Sequence, residues 1–281
     1  MNAVISAKQL SKSYGEFRAL DGVSLDIGEG RIVGFIGPNG AGKTSALRCL
    51  LGLSTYTGEL RVLGKEPQKQ RMELLNDVAY IADTAVLPRW ITTEQILEYM
   101  QGVHPKFSRE KAQGFLDATD IGRQQKVGEM SKGMITQLHL AVSISIDAKL
   151  LVLDEPTLGL DILYRKRFYK QLLEDFFDEQ RTILITTHQV EEIENLLTDL
   201  IFIKRGRIEL NMPMEDVSTR FLQLEVSQDK LAEARALHPI HEEPKLGGGI
   251  FLYENRTTDQ LAPLGQVGAP SVADLFVAKM G

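Results

Sequence analysis

The sequence predicts an α/β fold, in which a mostly parallel β-sheet with an inserted helical region precedes a small C-terminal α+β domain. Three continuous apolar runs, at residues 30–36, 150–153 and 182–186, support the sheet, because strands of a parallel sheet are covered on both faces. Between the second and third runs lies a helix whose apolar face consists of Tyr164, Phe168, Leu172 and Phe176. This strand–helix–strand order favours a right-handed crossover within one parallel sheet.

Two further regions complete the predicted organisation. Residues 88–148 are mostly helical in pattern, and we expect them to form a separate helical lobe. Beyond Gly206 a short alternating strand, a glycine-rich turn and a final helix over residues 272–280 predict a small accessory domain. Ser271 and Asp274 open that helix in a capping-box-like arrangement. We therefore predict a domain over residues 1–211, with its helical part at about 88–148, and a second domain over residues 212–281.

The net charge, the cysteine count and the length of the apolar runs indicate which partners and which compartment to expect. A formal net charge of −6 is not that of a chain that grips nucleic acid, which needs a basic face, so we expect no nucleic-acid partner. The single cysteine, Cys49, permits no internal disulfide and suits a reducing cytoplasm. We find no run long and apolar enough for a membrane span and no signal-peptide pattern, so we expect any membrane role to come through a partner.

The first apolar run leads into a motif that matches G-x-x-x-x-G-K-[ST] in full. The motif consists of Gly37, Pro38, Asn39, Gly40, Ala41, Gly42, Lys43 and Thr44. Its glycines let backbone N–H groups surround phosphate oxygens, and the helix that follows adds a favourable dipole. We expect Lys43 to reach the β- and γ-phosphates, Thr44 to bind Mg²⁺, and the adjacent Ser45 to join the nucleotide site. A chance glycine-rich turn is the alternative, but the position between a strand and a helix disfavours it.

The second apolar run ends in two adjacent carboxylates, Asp154 and Glu155. Asp154 is predicted to bind Mg²⁺ through water. Glu155 is predicted to orient or deprotonate the attacking water. Acids that merely end a strand before Pro156 are the alternative, and the complete phosphate loop upstream favours the catalytic interpretation.

These two motifs indicate a P-loop ATPase, and four further features resemble those of ATP-binding-cassette (ABC) proteins in the order that the family has them. Residues 129–134 resemble the signature motif, and residues 158–161, ending in Asp161, resemble the D-loop. His188 resembles the switch histidine that contacts the γ-phosphate, and Tyr14 resembles the aromatic residue that stacks on adenine. The resemblance covers residues 4–210.

The resemblance implies the ATP-hydrolysing subunit of an ABC transporter, which uses ATP and Mg²⁺ at the cytoplasmic face of the membrane and drives an integral membrane permease. It also implies a homodimer in the ATP-bound state, in which Ser131 and the Gly133 N–H of one copy face the phosphate loop of the other. Each assigned residue has a simpler alternative. Ser131 is also a candidate helix N-cap, a role compatible with the first, while His188 could begin a helix and Tyr14 could be a packed aromatic.

Two positions depart from the family pattern. Asp83 stands where the Q-loop of the family carries glutamine, and Lys132 and Met134 alter the signature. The Asp83 carboxylate can still bind Mg²⁺ or its water, but it adds negative charge near the γ-phosphate. Our hypothesis is that Lys132 of one copy offsets Asp83 of the other, since unlike charges attract at short range. A solvated Lys132 that never meets Asp83 is an equally open alternative.

The final residues, 270–277, resemble the C-terminal helix of bacterial ABC-2-type exporter subunits, which implies docking on two copies or halves of a permease. The groove for the permease is expected near residues 87–90, and an exposed Trp90 would support it.

The main alternative is a soluble ABC ATPase with a non-transport partner, although the chain lacks the long coiled-coil insertion or second cassette of such proteins. A small-molecule kinase would leave the signature unexplained. A weakly hydrolysing regulatory module stays open because of Asp83. The sequence does not indicate the transported substrate.

Overall fold

The computed structural model of the chain describes residues 3–82, 87–158, 160 and 162–281. The β-strands are β1 (Ala3–Tyr14), β2 (Phe17–Gly28), β3 (Ile32–Ile36), β4 (Thr57–Val62), β5 (Val78–Ile81), β6 (Leu150–Asp154), β7 (Thr182–Thr187), β8 (Asp199–Lys204), β9 (Arg207–Pro213), β10 (Phe221–Ser227), β11 (His241–Lys245), β12 (Gly248–Glu254) and β13 (Gln266–Gly268). The α-helices are α1 (Lys43–Leu50), α2 (Arg71–Leu75), α3 (Thr93–Val103), α4 (Arg109–Asp117), α5 (Lys132–Ile144), α6 (Ile162–Asp175), α7 (Val217–Arg220), α8 (Leu231–Ala236), α9 (Thr258–Leu261) and α10 (Val272–Met280).

The main sheet has the strand order β5-β6-β7-β3-β8-β9. Strands β5, β6, β7 and β3 run parallel to one another, and every residue of β3, β6 and β7 is buried. The three apolar runs of the sequence are these three strands, and α6 connects β6 to β7. The predicted α/β fold with a mostly parallel sheet is confirmed.

A second sheet, antiparallel and of strand order β2-β1-β4, has no counterpart in the sequence prediction. Its two long strands do not alternate regularly, because the pairing of β1 with β2 shifts register at several points. Gln9 lies at one such irregularity with a positive φ of 50°. A bulge of this kind turns successive side chains out of the period-two pattern on which strand recognition depends.

Helices α3, α4 and α5 lie within the segment whose sequence is helical in pattern. Thr92 caps α3 in a capping box with Gln95: the Thr92 hydroxyl accepts from the Gln95 N–H, and the Gln95 side chain accepts from the Thr92 N–H. The three helices share an apolar core with the loops between them. That core consists of Ile96, Leu97, Ala112, Leu116, Ile121, Val127, Met130, Leu138 and Ala141.

The chain divides into two compact units. The first contains the described parts of residues 1–188 together with residues 203–208, and the second contains residues 189–202 and 209–281. The second unit therefore includes a segment that immediately follows β7, in addition to the C-terminal region that the sequence separates at residue 211. None of the described helices is long and apolar enough to cross a membrane.

The second unit has its own four-stranded antiparallel sheet, of order β11-β12-β10-β13. Its buried core consists of Leu224, Val226, Ala234, Phe251, Tyr253 and Leu261. The final helix, α10, starts at the predicted place, and Ser271 and Asp274 form the predicted capping box. The accessory α+β architecture of this region is the one that the sequence indicates.

The glutamate at the end of β12 links the final helix to the sheet. Glu254 accepts two hydrogen bonds from Arg220, at 2.9 and 2.7 Å, and one from Lys279 of α10 at 2.8 Å. Burial alone would raise the pKa of the Glu254 carboxyl, but the hydrogen bonds from Lys279 and Arg220 outweigh it, and the pKa lies below its usual value. The carboxylate form therefore stabilises the packing of α10.

We predict that Glu254→Gln loosens α10. The loss of one charge-assisted contact costs about 1 kcal/mol, so amide exchange in residues 272–280, followed by hydrogen–deuterium exchange at neutral pH, should accelerate about fivefold. Because the folded-state pKa is lowered, the stabilisation is present above the unfolded pKa and is lost as pH falls through the folded one. The difference from the wild type should therefore shrink in acid. Glu243→Gln, which changes an exposed carboxylate on β11, is the control, and equal effects of the two variants would contradict the prediction.

Candidate active site

The strand order of the main sheet brings the predicted motifs to one edge. Asp154, the last residue of β6, pairs with Thr186 of β7, and Ile36, the last residue of β3, pairs with Thr187. The phosphate loop follows β3, the two carboxylates end β6, and His188 follows β7. Because parallel strands end on the same side, these three segments meet at the carboxyl edge of the sheet, where ligands of open α/β sheets bind.

The phosphate loop follows a path that only glycine permits at two points. A Cβ on Gly37 would lie 2.4 Å from the carbonyl oxygen of Ile203. Gly42, the N-cap of α1, has a φ of 111°, and a Cβ there would lie 2.4 Å from the carbonyl oxygen of Ala19. The close backbone approach therefore fixes the loop and the start of α1 that it leads into.

A surface concavity opens on the loop. It is lined by Phe17, Ala19, Pro38, Asn39, Gly40, Ala41, Gly42, Lys43, Thr44, Ser45 and Glu155. All predicted loop residues except Gly37 line it, and so does the predicted catalytic carboxylate. Gly37 does not line the concavity, but its carbonyl oxygen accepts a hydrogen bond from the Lys43 ammonium.

The Lys43 ammonium is buried and fully bonded. Its side chain is 7% exposed, and Nζ donates to the carbonyl oxygen of Gly37 at 2.6 Å and to that of Pro38 at 3.4 Å. The third contact is an ion pair with Glu155 Oε1 at 3.3 Å. An ammonium group has three N–H donors, so these three acceptors can use all of them.

The Asp154 carboxylate lies between two hydroxyl groups. It is 1% exposed, and its Oδ2 accepts from the Thr44 hydroxyl at 3.1 Å. Its Oδ1 accepts from the Thr186 hydroxyl at 2.5 Å. The structure thus brings together two of the three residues predicted to hold Mg²⁺, while the third, Asp83, lies outside the described residues. A carboxylate beside a hydroxyl offers the oxygen ligands that this cation prefers. Among the described residues there is no cluster of three or more His, Cys, Asp or Glu side chains that could hold a metal ion.

Glu155 occupies a turn with unusual backbone geometry. Its φ is 48°, the left-handed region that costs a residue with a side chain about 1–2 kcal/mol. From this turn its Oε2 lies 2.9 Å from His188 Nδ1, while Oε1 pairs with Lys43. The three predicted catalytic residues therefore form one continuous chain of contacts. His188 begins no helix, since the next helical turn is Val190–Glu192.

The aromatic residue in the concavity is not the predicted one. Tyr14 is 45% exposed, with Lys12 Nζ 4.8 Å from its ring centre, and it is not among the residues that line the concavity. Its partner across the β1–β2 turn, Phe17, lines it instead. The sequence contains a signal for Phe17, a second aromatic residue in the same turn, whereas the family pattern indicates Tyr14.

Residues of the signature lie at the start of α5. Ser131 is the N-cap, and its hydroxyl accepts from the Met134 N–H at 3.2 Å, so its N-cap role is confirmed. Gly133 lies in the first turn, and Lys132 is exposed. None of these residues lines the concavity within one chain. The predictions for Asp83 and Asp161, and with them the proposed Asp83–Lys132 contact, fall outside the described residues.

Comparison with known proteins identifies a matching family and relatives of this chain. A family model described as "ABC transporter" matches residues 20–158. Nod factor export ATP-binding protein I of Cupriavidus metallidurans is 31% identical over 94% of this chain and 90% of its own length. Bacitracin transport ATP-binding protein BcrA of Bacillus licheniformis is 30% identical over 83% of this chain and 78% of its own.

Solved structures share the fold. The ATP-binding subunit of an ABC transporter superposes with a TM-score of 0.69 at 24% identity, over 76% of this chain and 91% of its own. A nucleotide-free ATP-binding cassette from an ABC transporter gives a TM-score of 0.63 at 22% identity, over 77% and 94% of the two chains.

We predict that Gly42→Ala disrupts the loop and Gly64→Ala does not. Both glycines have a positive φ, but a Cβ on Gly64 meets nothing within 4 Å. Both variants should therefore lose about 1–2 kcal/mol of stability, while only Gly42→Ala must also displace the loop, and a shift of about 1 Å can cost roughly 100-fold in function. Thermal unfolding and the binding of fluorescent ATP measure the two effects. Wild-type nucleotide affinity in Gly42→Ala would show that the loop geometry is not needed.

Proposed function

The chain belongs to the ABC transporter family as an ATP-binding subunit and an ATPase, and from this premise we propose that it is the motor of an ABC-2-type exporter. In this proposal it acts as a homodimer around Mg-ATP at the cytoplasmic face of the membrane. The observation that carries the proposal is the contact chain of Lys43, Glu155 and His188 beside the Asp154–Thr44 pair. ATP-binding subunits of this family work with membrane permease subunits.

The geometry supports a specific division of roles. Thr44 and Asp154 would hold Mg²⁺, which when bound neutralises charge on the phosphates. Lys43 would bind the β- and γ-phosphates, and for that its ammonium must exchange Glu155 for a phosphate oxygen. Phe17, at the concavity, is the better placed aromatic for an adenine ring, and Tyr14 is the alternative from the family pattern.

Release of Lys43 would leave the Glu155 carboxylate available to the attacking water. Glu155 would orient that water and accept its proton, and such general-base catalysis contributes about 10²–10⁴-fold to a rate. His188, already 2.9 Å from Glu155, would keep the carboxylate in place and contact the γ-phosphate. The left-handed backbone of Glu155 directs its side chain toward these partners.

A second copy of the chain would complete the site. Ser131 and Gly133 are predicted to contact the γ-phosphate, yet within one chain neither lines the concavity. The N-terminus of α5 would supply the missing N–H groups from the partner copy, because the first N–H groups of a helix lack intrahelical acceptors and favour anions. The same arrangement would bring Asp161 of one copy to the other, as the family pattern implies.

Exposure of Trp90 supports the permease-docking region predicted near residues 87–90. Trp90 is 69% exposed. Because tryptophan is enriched at protein–protein interfaces, such exposure indicates a docking surface. Its neighbours are held by backbone hydrogen bonds, from the Gly128 N–H to Arg89 and from the Val127 N–H to Ile91. The names of the two relatives, for Nod factor export and bacitracin transport, support the exporter class.

We predict that Glu155→Gln traps an ATP-bound dimer. The amide cannot accept the proton of water, so turnover should fall by at least about 100-fold, while the chain keeps ATP and elutes at twice the monomer mass in Mg-ATP. Size-exclusion chromatography with light scattering and an ATPase assay measure both effects. Glu59→Gln, at an exposed site on β4, is the charge-matched control. A monomeric Glu155→Gln variant with undiminished turnover would overturn the proposal.

We predict that Trp90→Ala weakens permease docking. Loss of an interface tryptophan costs about 2 kcal/mol or more, so copurification of an integral membrane protein with the tagged chain in detergent should fall about 30-fold, while the ATPase activity of the isolated chain is unchanged. Leu246→Ala, at a fully exposed leucine of the second unit, is the control. Because Trp90 is the only tryptophan, its fluorescence should also shift to the blue on docking. Unchanged emission and unchanged copurification would place the interface elsewhere.

A further inference from the structure

We propose that Thr186 is a positioning residue for ATP hydrolysis, because one buried hydroxyl group on β7 fixes both the Asp154 carboxylate and the Glu155 backbone. The inference rests on the roles proposed above for those two acidic residues. Thr186 belongs to none of the motifs that the sequence analysis identifies. Its contacts, however, are made to two of the groups on which the proposed chemistry depends.

The two contacts use different capacities of the same hydroxyl. Thr186 is fully buried, and its hydroxyl donates to Asp154 Oδ1 at 2.5 Å. Its oxygen also accepts from the Glu155 N–H at 3.3 Å, and the same N–H donates to the Thr186 carbonyl oxygen at 3.0 Å. A hydroxyl offers one donor and two acceptor positions, so Thr186 can serve both partners at once.

The contact to Asp154 sets the rotation of the carboxylate. The terminal torsion of an aspartate side chain has a broad, two-fold energy profile, so a carboxylate held at only one oxygen can turn. Asp154 is held at both: Thr186 binds Oδ1, and Thr44 binds Oδ2. Thr186 therefore directs Oδ2 toward the Thr44 hydroxyl, where the two oxygens can act together on the cation.

The contact to Glu155 holds a strained turn. A left-handed φ of 48° is a sparsely populated conformation for a residue with a side chain, and such conformations persist only where the surroundings fix them. The Glu155 N–H is fixed from both the carbonyl and the hydroxyl of Thr186. This turn sets where the Glu155 carboxylate lies. The distances from that carboxylate to Lys43 and His188 therefore depend on the hydrogen bonds between the Glu155 N–H and Thr186.

The same strand contains a matched control. Thr182 is also fully buried, and its hydroxyl donates to the carbonyl oxygen of Gly28 at 3.2 Å. Replacement of either threonine by valine keeps the shape and removes one hydroxyl. The acceptor that loses a donor is the buried Asp154 carboxylate at Thr186 and the carbonyl of the half-buried Gly28 at Thr182. Only at Thr186 is that acceptor a site carboxylate. The comparison therefore separates loss of positioning from loss of stability.

The experiment compares Thr186→Val, Thr186→Ser and Thr182→Val in the full chain. Disturbing a group that orients metal ligands typically costs about 10–100-fold in metal affinity or activity. We expect kcat of Thr186→Val to fall in this range, and the Mg²⁺ concentration that half-saturates fluorescent ADP binding to rise at least about tenfold. ADP affinity without Mg²⁺ should change little. Thr186→Ser, which keeps the hydroxyl, should recover most of the wild-type values, and Thr182→Val should match the wild type in both.

A folded Thr186→Val variant with wild-type kcat and Mg²⁺ dependence would overturn the proposal. So would equal losses in Thr186→Val and Thr182→Val that follow their thermal stabilities, since these would show a purely structural role. If Thr186→Val does not fold, Thr186→Cys, with its weaker donor, takes its place with the same expected results. Absence of Mg²⁺-dependent ATPase activity in the wild type would instead contradict the proposed function itself.

Discussion

The Asp154 carboxylate is buried between the hydroxyl groups of Thr44 and Thr186, and this arrangement joins three segments that are far apart in sequence. A buried charge is tolerated only where donors replace the water it has lost. Here one donor comes from the phosphate loop after β3 and the other from β7. The adjacency of β6, β7 and β3 in the parallel sheet makes both contacts possible, so the architecture of the site follows from the strand order.

Around this carboxylate, the charged groups of the site satisfy one another. Lys43 bonds to Glu155, and Glu155 bonds to His188, so each buried charge has an opposite or polar neighbour. In the proposed reaction a phosphate oxygen competes with Glu155 for the same ammonium group. Nucleotide binding and release of the catalytic carboxylate would then be a single exchange of partners, which links occupancy of the site to its readiness for hydrolysis.

Much of this could be predicted from sequence, for identifiable reasons. The phosphate loop and the Asp154–Glu155 pair stand at the ends of continuous apolar runs, and such runs are strong indicators of buried parallel strands. Strands β1 and β2 were not predicted, because bulges such as that at Gln9 break the alternation of side chains.

Thr186 was not predicted as a site residue, because β-propensity alone also favours a threonine within a buried strand. Its role depends on Asp154 lying opposite, and that is a property of strand pairing rather than of local sequence. The choice of Phe17 over Tyr14 likewise depends on how a turn projects two neighbouring aromatic side chains.

One chain supplies the phosphate loop, both carboxylates and the histidine, whereas no residue at the start of α5 lines the concavity. In the proposed dimer, a second copy would supply the γ-phosphate contacts assigned to Ser131 and Gly133. The most direct measurement is the ATPase activity per chain over a wide range of protein concentration at saturating Mg-ATP. Activity per chain should fall toward zero on dilution and reach a plateau at high concentration, as two copies associate. A constant activity per chain down to concentrations at which light scattering finds only monomer would contradict the shared site.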